Sequence, residues 1–203
     1  MGTRGLYGFI KGGVEKVTYK QLDSDPPFLG SMVADFIKQL TDEKLEAVFD
    51  NIVLVNGDVV PSEDELAYIK ASGQSRDMLN GKTWYDVIRG SQGNFSLYAE
   101  LAENNLRIYM TDNSDYIRDS LYCEYAYYIN LDSRQLEFWK GWQLKPSRGN
   151  RYGKEKYGDT DFYPCKMLKK YPFDEVRSMQ TDLIVKDMVK RAKANGRQMH
   201  KVS

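Results

Sequence analysis

The stretch LYCEYAYYINLDSRQLEFWKGWQL, residues 121–144, decides the fold class. Two runs rich in Tyr, Phe, Trp and Ile, 121–131 and 135–144, flank Asp132-Ser133-Arg134. Aromatic and β-branched runs on either side of a short polar turn predict a β-hairpin. On strict alternation Cys123, Tyr125, Tyr127 and Ile129 share one face, and Tyr122, Glu124, Ala126, Tyr128 and Asn130 share the other. Both faces carry large apolar groups, which predicts a sheet covered on both sides.

Upstream, GLYGFI (5–10) and KVTYKQL (16–22) are separated by Lys11-Gly12-Gly13-Val14-Glu15, which holds the glycines of a hairpin turn. A loop stiffened by Pro26 and Pro27 leads to two helical patterns. Met32, Val33, Phe36, Ile37 and Leu40 recur at helical spacing, then Leu45, Val48 and Phe49, with Thr41 as the N-cap between. Ser62 and Glu65 match a capping box at the start of a third helix. Two short helices are expected around Gly90 to Asn94, and a strand over 107–110. Residues 146–170 are rich in glycine and charge and predict a long loop, followed by a helix over 174–194. Hairpin, helices, hairpin, helix is the order of an α+β fold with mainly antiparallel sheets.

Size and charge narrow the function. The chain has 203 residues, with 29 Lys+Arg against 29 Asp+Glu. That size fits one domain, expected over residues 1–194 with a basic tail at 195–203. Balanced charge argues against long nucleic acid as a partner, so an anionic ligand needs a local cluster of cations. Cys123 and Cys165 lack metal-ligand spacing and the density of a disulfide framework, which suits a reducing cytoplasm. Neither a run of about 18 apolar residues nor a secretory pattern is found, so no membrane partner is expected. The single histidine, His200, sits in the polar end. Paired-histidine acid–base chemistry, Ser-His-Asp and Cys-His catalysis and His-rich metal clusters are thereby set aside. An enzyme built from this chain works with Thr, Ser, Tyr, Lys, Arg and carboxylates, and no metal or other cofactor is expected.

MGTRGLYGF at 1–9, followed by VTYKQLDSDPPFLG at 17–30, is similar to a group of phage, bacterial and fungal proteins. These begin MGTRG and continue with a tyrosine-rich strand, Asp-Ser, a proline and Leu-Gly. YAYYINLD (125–132) and LEFWKG (136–141) look like the later hairpin of the same group, so the resemblance spans both hairpins and hardly touches 146–170. The group resembles N-terminal nucleophile (Ntn) hydrolases, which implies a four-layer αββα sandwich whose first strand presents its first residue to the active site. A phage member resembles the anti-CBASS nucleases, which destroy the cyclic nucleotides of bacterial immune signalling. The implied activity is metal-independent hydrolysis of a small cyclic dinucleotide in the bacterial host's cytoplasm. An Ntn-type amidase with Thr3 as processed nucleophile and a non-catalytic cyclic-nucleotide sponge are the alternatives, and homo-oligomerisation is left open.

In an Ntn hydrolase the first residue's own amine, with a pKa of roughly 7.7–8.0, activates its side chain. Cutting between Gly2 and Thr3 would create such a nucleophile; with Met1 and Gly2 retained, Thr3 has only its side chain. Lys20, Gln21 and Asp25 stand where the group has Asn, His and a second Tyr, so a histidine-dependent mechanism does not transfer. The expected catalytic set is Thr3, Arg4, Lys20 and Asp23. Arg4 would neutralise a phosphate, and Asp23 would orient Arg4 or Lys20. Tyr19, Glu124 and Tyr128 are the expected substrate-binding residues, with Tyr128 stacking on a base. The bland alternatives are a strand start at Thr3-Arg4, a turn at Asp23-Ser24 and an aromatic core at Tyr128. Arg148, Arg151, Lys154 and Lys156 form a basic loop that would close over an anion or simply be solvated.

Overall fold

Two glycines close the first hairpin. β1 (Gly5–Lys11) and β2 (Val14–Lys20) pair antiparallel with Lys11 opposite Val14. Between them Gly12 and Gly13 have φ of 60° and 72°, the left-handed pair that a two-residue type I′ turn requires. The second strand therefore occupies 14–20 instead of the expected 16–22. The Asp132 carboxylate accepts from the amides of Gly12 and Gly13 at 2.7 and 3.1 Å, tying this turn to that of the second hairpin. The structure is a computed structural model that describes residues 2–75 and 83–200, with side chains as far as residue 196.

Helices α1 (Ser31–Gln39) and α2 (Asp42–Asn51) form where their periodicity predicts, and the Thr41 hydroxyl caps α2 by accepting from the Lys44 amide. They are followed by β3 (Ile52–Val55), α3 (Glu63–Ala71) with its Ser62–Glu65 capping box, α4 (Trp84–Ile88), α5 (Phe95–Glu103) and β4 (Ile108–Thr111). β3 and β4 pair parallel. This small sheet is fastened to β2 by a Thr18–Thr111 hydroxyl contact of 2.9 Å and by the Asn113 amide donating to the Val17 carbonyl at 3.0 Å.

β5 (Tyr125–Asn130), β6 (Gln135–Lys140) and β7 (Lys166–Pro172) complete a five-stranded sheet in the order β2-β1-β5-β6-β7. β1 runs parallel to β5, and the other neighbours are antiparallel. The fold is thus α+β with a mainly antiparallel sheet. One face carries Tyr7, Phe9, Tyr127, Ile129, Leu136 and Phe138 into a core with α1, α2, α5, α6 (Phe173–Ser178) and α7 (Thr181–His200). The other carries Leu6, Val17, Ala126, Tyr128 and Trp139. Ile117 of a short 3₁₀ turn covers it, together with Tyr152 and Cys165 from the segment that links β6 to β7.

Further expectations are corrected. The strands of the second hairpin are shorter than predicted, and Cys123 packs on the Tyr128 side because the chain turns before Tyr125. The long loop ends at 165, since Lys166–Pro172 is an edge strand whose lysines disguise it. The last helix is two: Met179 is extended, its carbonyl held by the Lys38 ammonium, and Thr181 starts α7 with its hydroxyl on the Asp35 carboxylate. Of the expected tail, residues 195–200 continue α7, and 201–203 lie outside the described residues.

Candidate anion-binding site

The residues expected to act together fall in three places. Thr3, Arg4 and Glu124 meet where β1 and β5 begin. The Glu124 amide donates to the Arg4 carbonyl at 2.9 Å, and the Arg4 amide donates to the Glu124 carboxylate at 3.2 Å. The Arg4 guanidinium lies 4.8 Å from the Tyr122 ring centre. Thr3 Oγ1 accepts from the amides of Ser24 and Asp25 at 2.9 and 3.1 Å. Those bonds occupy both lone pairs, so the hydroxyl clips the 23–25 turn to the first strand. Burial raises the Asp25 carboxyl, with the Asp23 and Glu124 charges adding to it. Burial lowers the Lys140 amine, which donates to the Glu124 carbonyl at 3.1 Å and lies 4.2 Å from the Tyr125 ring centre. A single lysine at the end of an aromatic strand carries no signal that would have singled out Lys140.

Lys20 is separate from that cluster, although its backbone pairs with Gly5. Its ammonium donates to the Gln92 carbonyl at 3.0 Å in a cavity of about 440 Å³ that Asp35, Asn94 and Ser96 also line. Burial lowers its basicity, offset in part by Asp23. Asp23 is exposed at φ 55°, and its carbonyl accepts from the Leu29 amide. Tyr19, on the opposite side of β2, packs edge-on against Tyr116 with ring centres 5.1 Å apart. The expected quartet is therefore divided between two sites.

Tyr128 corrects a further expectation. It is fully buried, with Trp139 and Tyr152 beside it and the Arg151 guanidinium 5.1 Å from its ring centre, which leaves no face for a base. Its hydroxyl is buried beside that of Tyr152, and burial pushes its pKa up. Around it runs a charged network. Fully buried Glu137 accepts from Arg151 at 2.8 Å, from the Asn130 amide group at 2.9 Å and from the Trp139 indole at 3.0 Å. Arg151 also lies 3.3 Å from Glu15, and the Tyr152 hydroxyl donates to Glu15 at 2.9 Å. This network holds the segment that links β6 to β7 against the sheet.

Beside the network, between that segment and the edge strand β7, opens a cavity of about 860 Å³. Among the described residues its wall holds Lys145, Arg148, Arg151, Lys166 and Lys170, and no Asp or Glu. Trp139, Leu144, Pro146 and Met167 supply apolar wall. Ligand sites of roughly 300–1,000 Å³ with a few convergent polar groups are the usual dimensions for a small molecule. Lys145, Arg148, Lys166 and Lys170 make no ion pair with an acid among the described residues. Of the basic loop expected from sequence, Arg148 and Arg151 line the cavity. Lys156 is paired with Asp161 at 2.7 Å, and Lys154 lies outside the wall. Lys166 and Lys170 were missed because their strand was read as loop.

Among the described residues no three His, Cys, Asp or Glu side chains group as a metal site would require, and no helix is long and apolar enough to cross a membrane. No family model, curated protein or solved structure matches the chain.

Proposed function

We propose that the protein takes a small cyclic nucleotide into the cavity beside β7 and holds it there, sequestering the ligand. The observation that carries this reading is the charge of the wall: five lysines and arginines with no acid among the described lining, in a cavity of about 860 Å³. Such a wall favours phosphate groups, and its apolar part offers contact to a base or ribose. That the anion is a cyclic nucleotide rests on the resemblance of the two hairpins. So does the proposal of an Ntn-type sandwich, of which the five-stranded sheet and its helical layer would form one half.

Sequestration is preferred to turnover because the lining holds no described carboxylate or histidine to serve as a base, and Thr3 Oγ1 is already bonded to two amides. Phosphodiester cleavage is the second reading: a ribose 2′-OH gives its proton to solvent, bonds to the adjacent phosphorus as a 2′,3′-cyclic phosphate and expels the 5′-oxygen, which takes up a proton, while the four cations without an ion pair among the described residues offset the charge at phosphorus.

One experiment separates the two. The protein is titrated calorimetrically with a panel of cyclic dinucleotides, then heat-denatured, and the released ligand is chromatographed. Binding that weakens with salt, with the ligand recovered unchanged, is expected. Recovery of linear products establishes cleavage in place of sequestration. Reversing Arg148 and Lys166 together (R148E with K166E) is expected to weaken binding about 100-fold, roughly tenfold per charge. No binding by any member of the panel, or undiminished binding by the double variant, overturns the assignment.

A further inference from the structure

The five cations of the cavity are not equivalent. Arg151 alone among them is ion-paired with described acids, to Glu137 at 2.8 Å and Glu15 at 3.3 Å. Its guanidinium lies 4.8 Å from the Trp139 ring centre, 5.0 Å from that of Tyr152 and 5.1 Å from that of Tyr128. The group is thus fixed in place before any ligand arrives, with its charge already answered. The two acids hold it differently. Glu137 is fully buried and bonded to Asn130 and Trp139 as well. Glu15 is 21% exposed, sits at the longer distance, and among the described residues otherwise accepts only from the Tyr152 hydroxyl. A phosphate oxygen approaching Arg151 from the cavity meets a cation that a carboxylate already claims, and Glu15 is the more weakly held of the two claimants.

We infer that Glu15 is an internal competitor of the ligand: it occupies Arg151 in the empty site and thereby sets how strongly charged an anion must be to bind. This inference rests on the assignment of the cavity as an anion site. It places Glu15 as a positioning residue, acting through Arg151 on a ligand it does not itself bind. A residue serving only to fix the loop weakens binding when altered, whereas a competitor strengthens it. The sign of the change therefore identifies the role.

The probe is inorganic pyrophosphate, titrated calorimetrically into the full chain at low salt, so that the charge argument does not depend on which nucleotide is bound. Glu15→Gln keeps size and an acceptor for Tyr152 while removing the charge, and is expected to tighten binding about fivefold, the order of one partly exposed ion pair that no longer competes for Arg151. The gain is expected to shrink at high salt and to vanish in the double variant E15Q with R151Q, since it is transmitted by Arg151. Melting curves check that each variant folds; E15A replaces E15Q should the amide not fold. Equal or weaker binding by a folded Glu15 variant refutes the competitor role and leaves the cavity assignment standing. A gain that persists without Arg151 refutes the route through it. No pyrophosphate binding by the wild-type chain removes the anion site and this inference with it.

Discussion

Replacing Glu137 by glutamine tests whether the buried network fastens the β6–β7 segment. The carboxylate is fully buried and accepts from Arg151 at 2.8 and 3.0 Å, from Asn130 at 2.9 Å and from Trp139 at 3.0 Å. An amide of the same shape turns one acceptor into a donor, and each orientation sets its NH₂ against a donor from Asn130, Trp139 or Arg151. Hydrogen bonds to charged groups contribute about 1.5–3 kcal/mol, and unpairing one side of a buried ion pair costs about 3–5 kcal/mol. Arg151 keeps Glu15 at 3.3 Å and its side chain is 33% exposed, which places the expected loss near the lower bound, about 3 kcal/mol. For a domain of this size that corresponds to a fall in Tm of roughly 6–12 °C. Urea unfolding followed by tryptophan fluorescence, with thermal unfolding by circular dichroism, measures it. A loss below about 1 kcal/mol would refute the network as the fastening. Removing Arg151 in the same chain (E137Q with R151Q) is expected to cost less than the sum of the two single changes, because the stranded cation is gone.

Tyr128→Phe removes a buried hydroxyl whose neighbour is the Tyr152 hydroxyl and is expected to change stability by no more than about 1 kcal/mol in either direction; a larger loss in urea midpoint refutes a minor role for the hydroxyl. Gly141→Ala would set a Cβ 1.9 Å from the Cys123 carbonyl and 2.8 Å from that of Ser120, so a loss of about 3 kcal/mol or more is expected, and a midpoint like that of the wild type argues against the close approach. Thr3→Val deletes the acceptor for the Ser24 and Asp25 amides and is expected to cost about 1–2 kcal/mol. If it instead abolished turnover of a cyclic dinucleotide at unchanged stability, Thr3 would be a nucleophile and not a clip. Burial raises the hydroxyls of Tyr7, Tyr98, Tyr127 and Tyr128, that of Tyr98 to about 12. The folded chain keeps protons that the unfolded chain starts to release near pH 10, so this stability is whole below about pH 10 and lost as pH rises through the folded values. Phenolate absorbance from these four is expected to rise together with unfolding, and gradual titration in a chain that stays folded would refute their burial.

The local parts of this protein were readable from its sequence because short-range physics determines them. Gly12-Gly13 admits the left-handed turn, Thr41 and Ser62 cap helices, and the alternation through Tyr125 to Asn130 places Tyr127 and Tyr128 on opposite faces. These features give the α+β class and the two hairpins. Where sequence reading failed, a distant contact had decided the matter. β7 was hidden because Lys166, Lys169 and Lys170 suit a sheet edge but lack strand alternation, and the break before α7 depends on Lys38 and Asp35, far away in the chain. The parallel pairing of β1 with β5 joins segments about 120 residues apart, and no local propensity encodes such a register. The candidate site follows the same division. Residue types alone gave an arginine-bearing opening motif and a basic loop. Only the tertiary structure turned Thr3 into a clip, sent Lys20 to another cavity, enclosed Tyr128, and set Lys166 and Lys170 across from Arg148 to make one positive wall. Charge clusters arise from packing between elements, and their members need share no spacing in the chain.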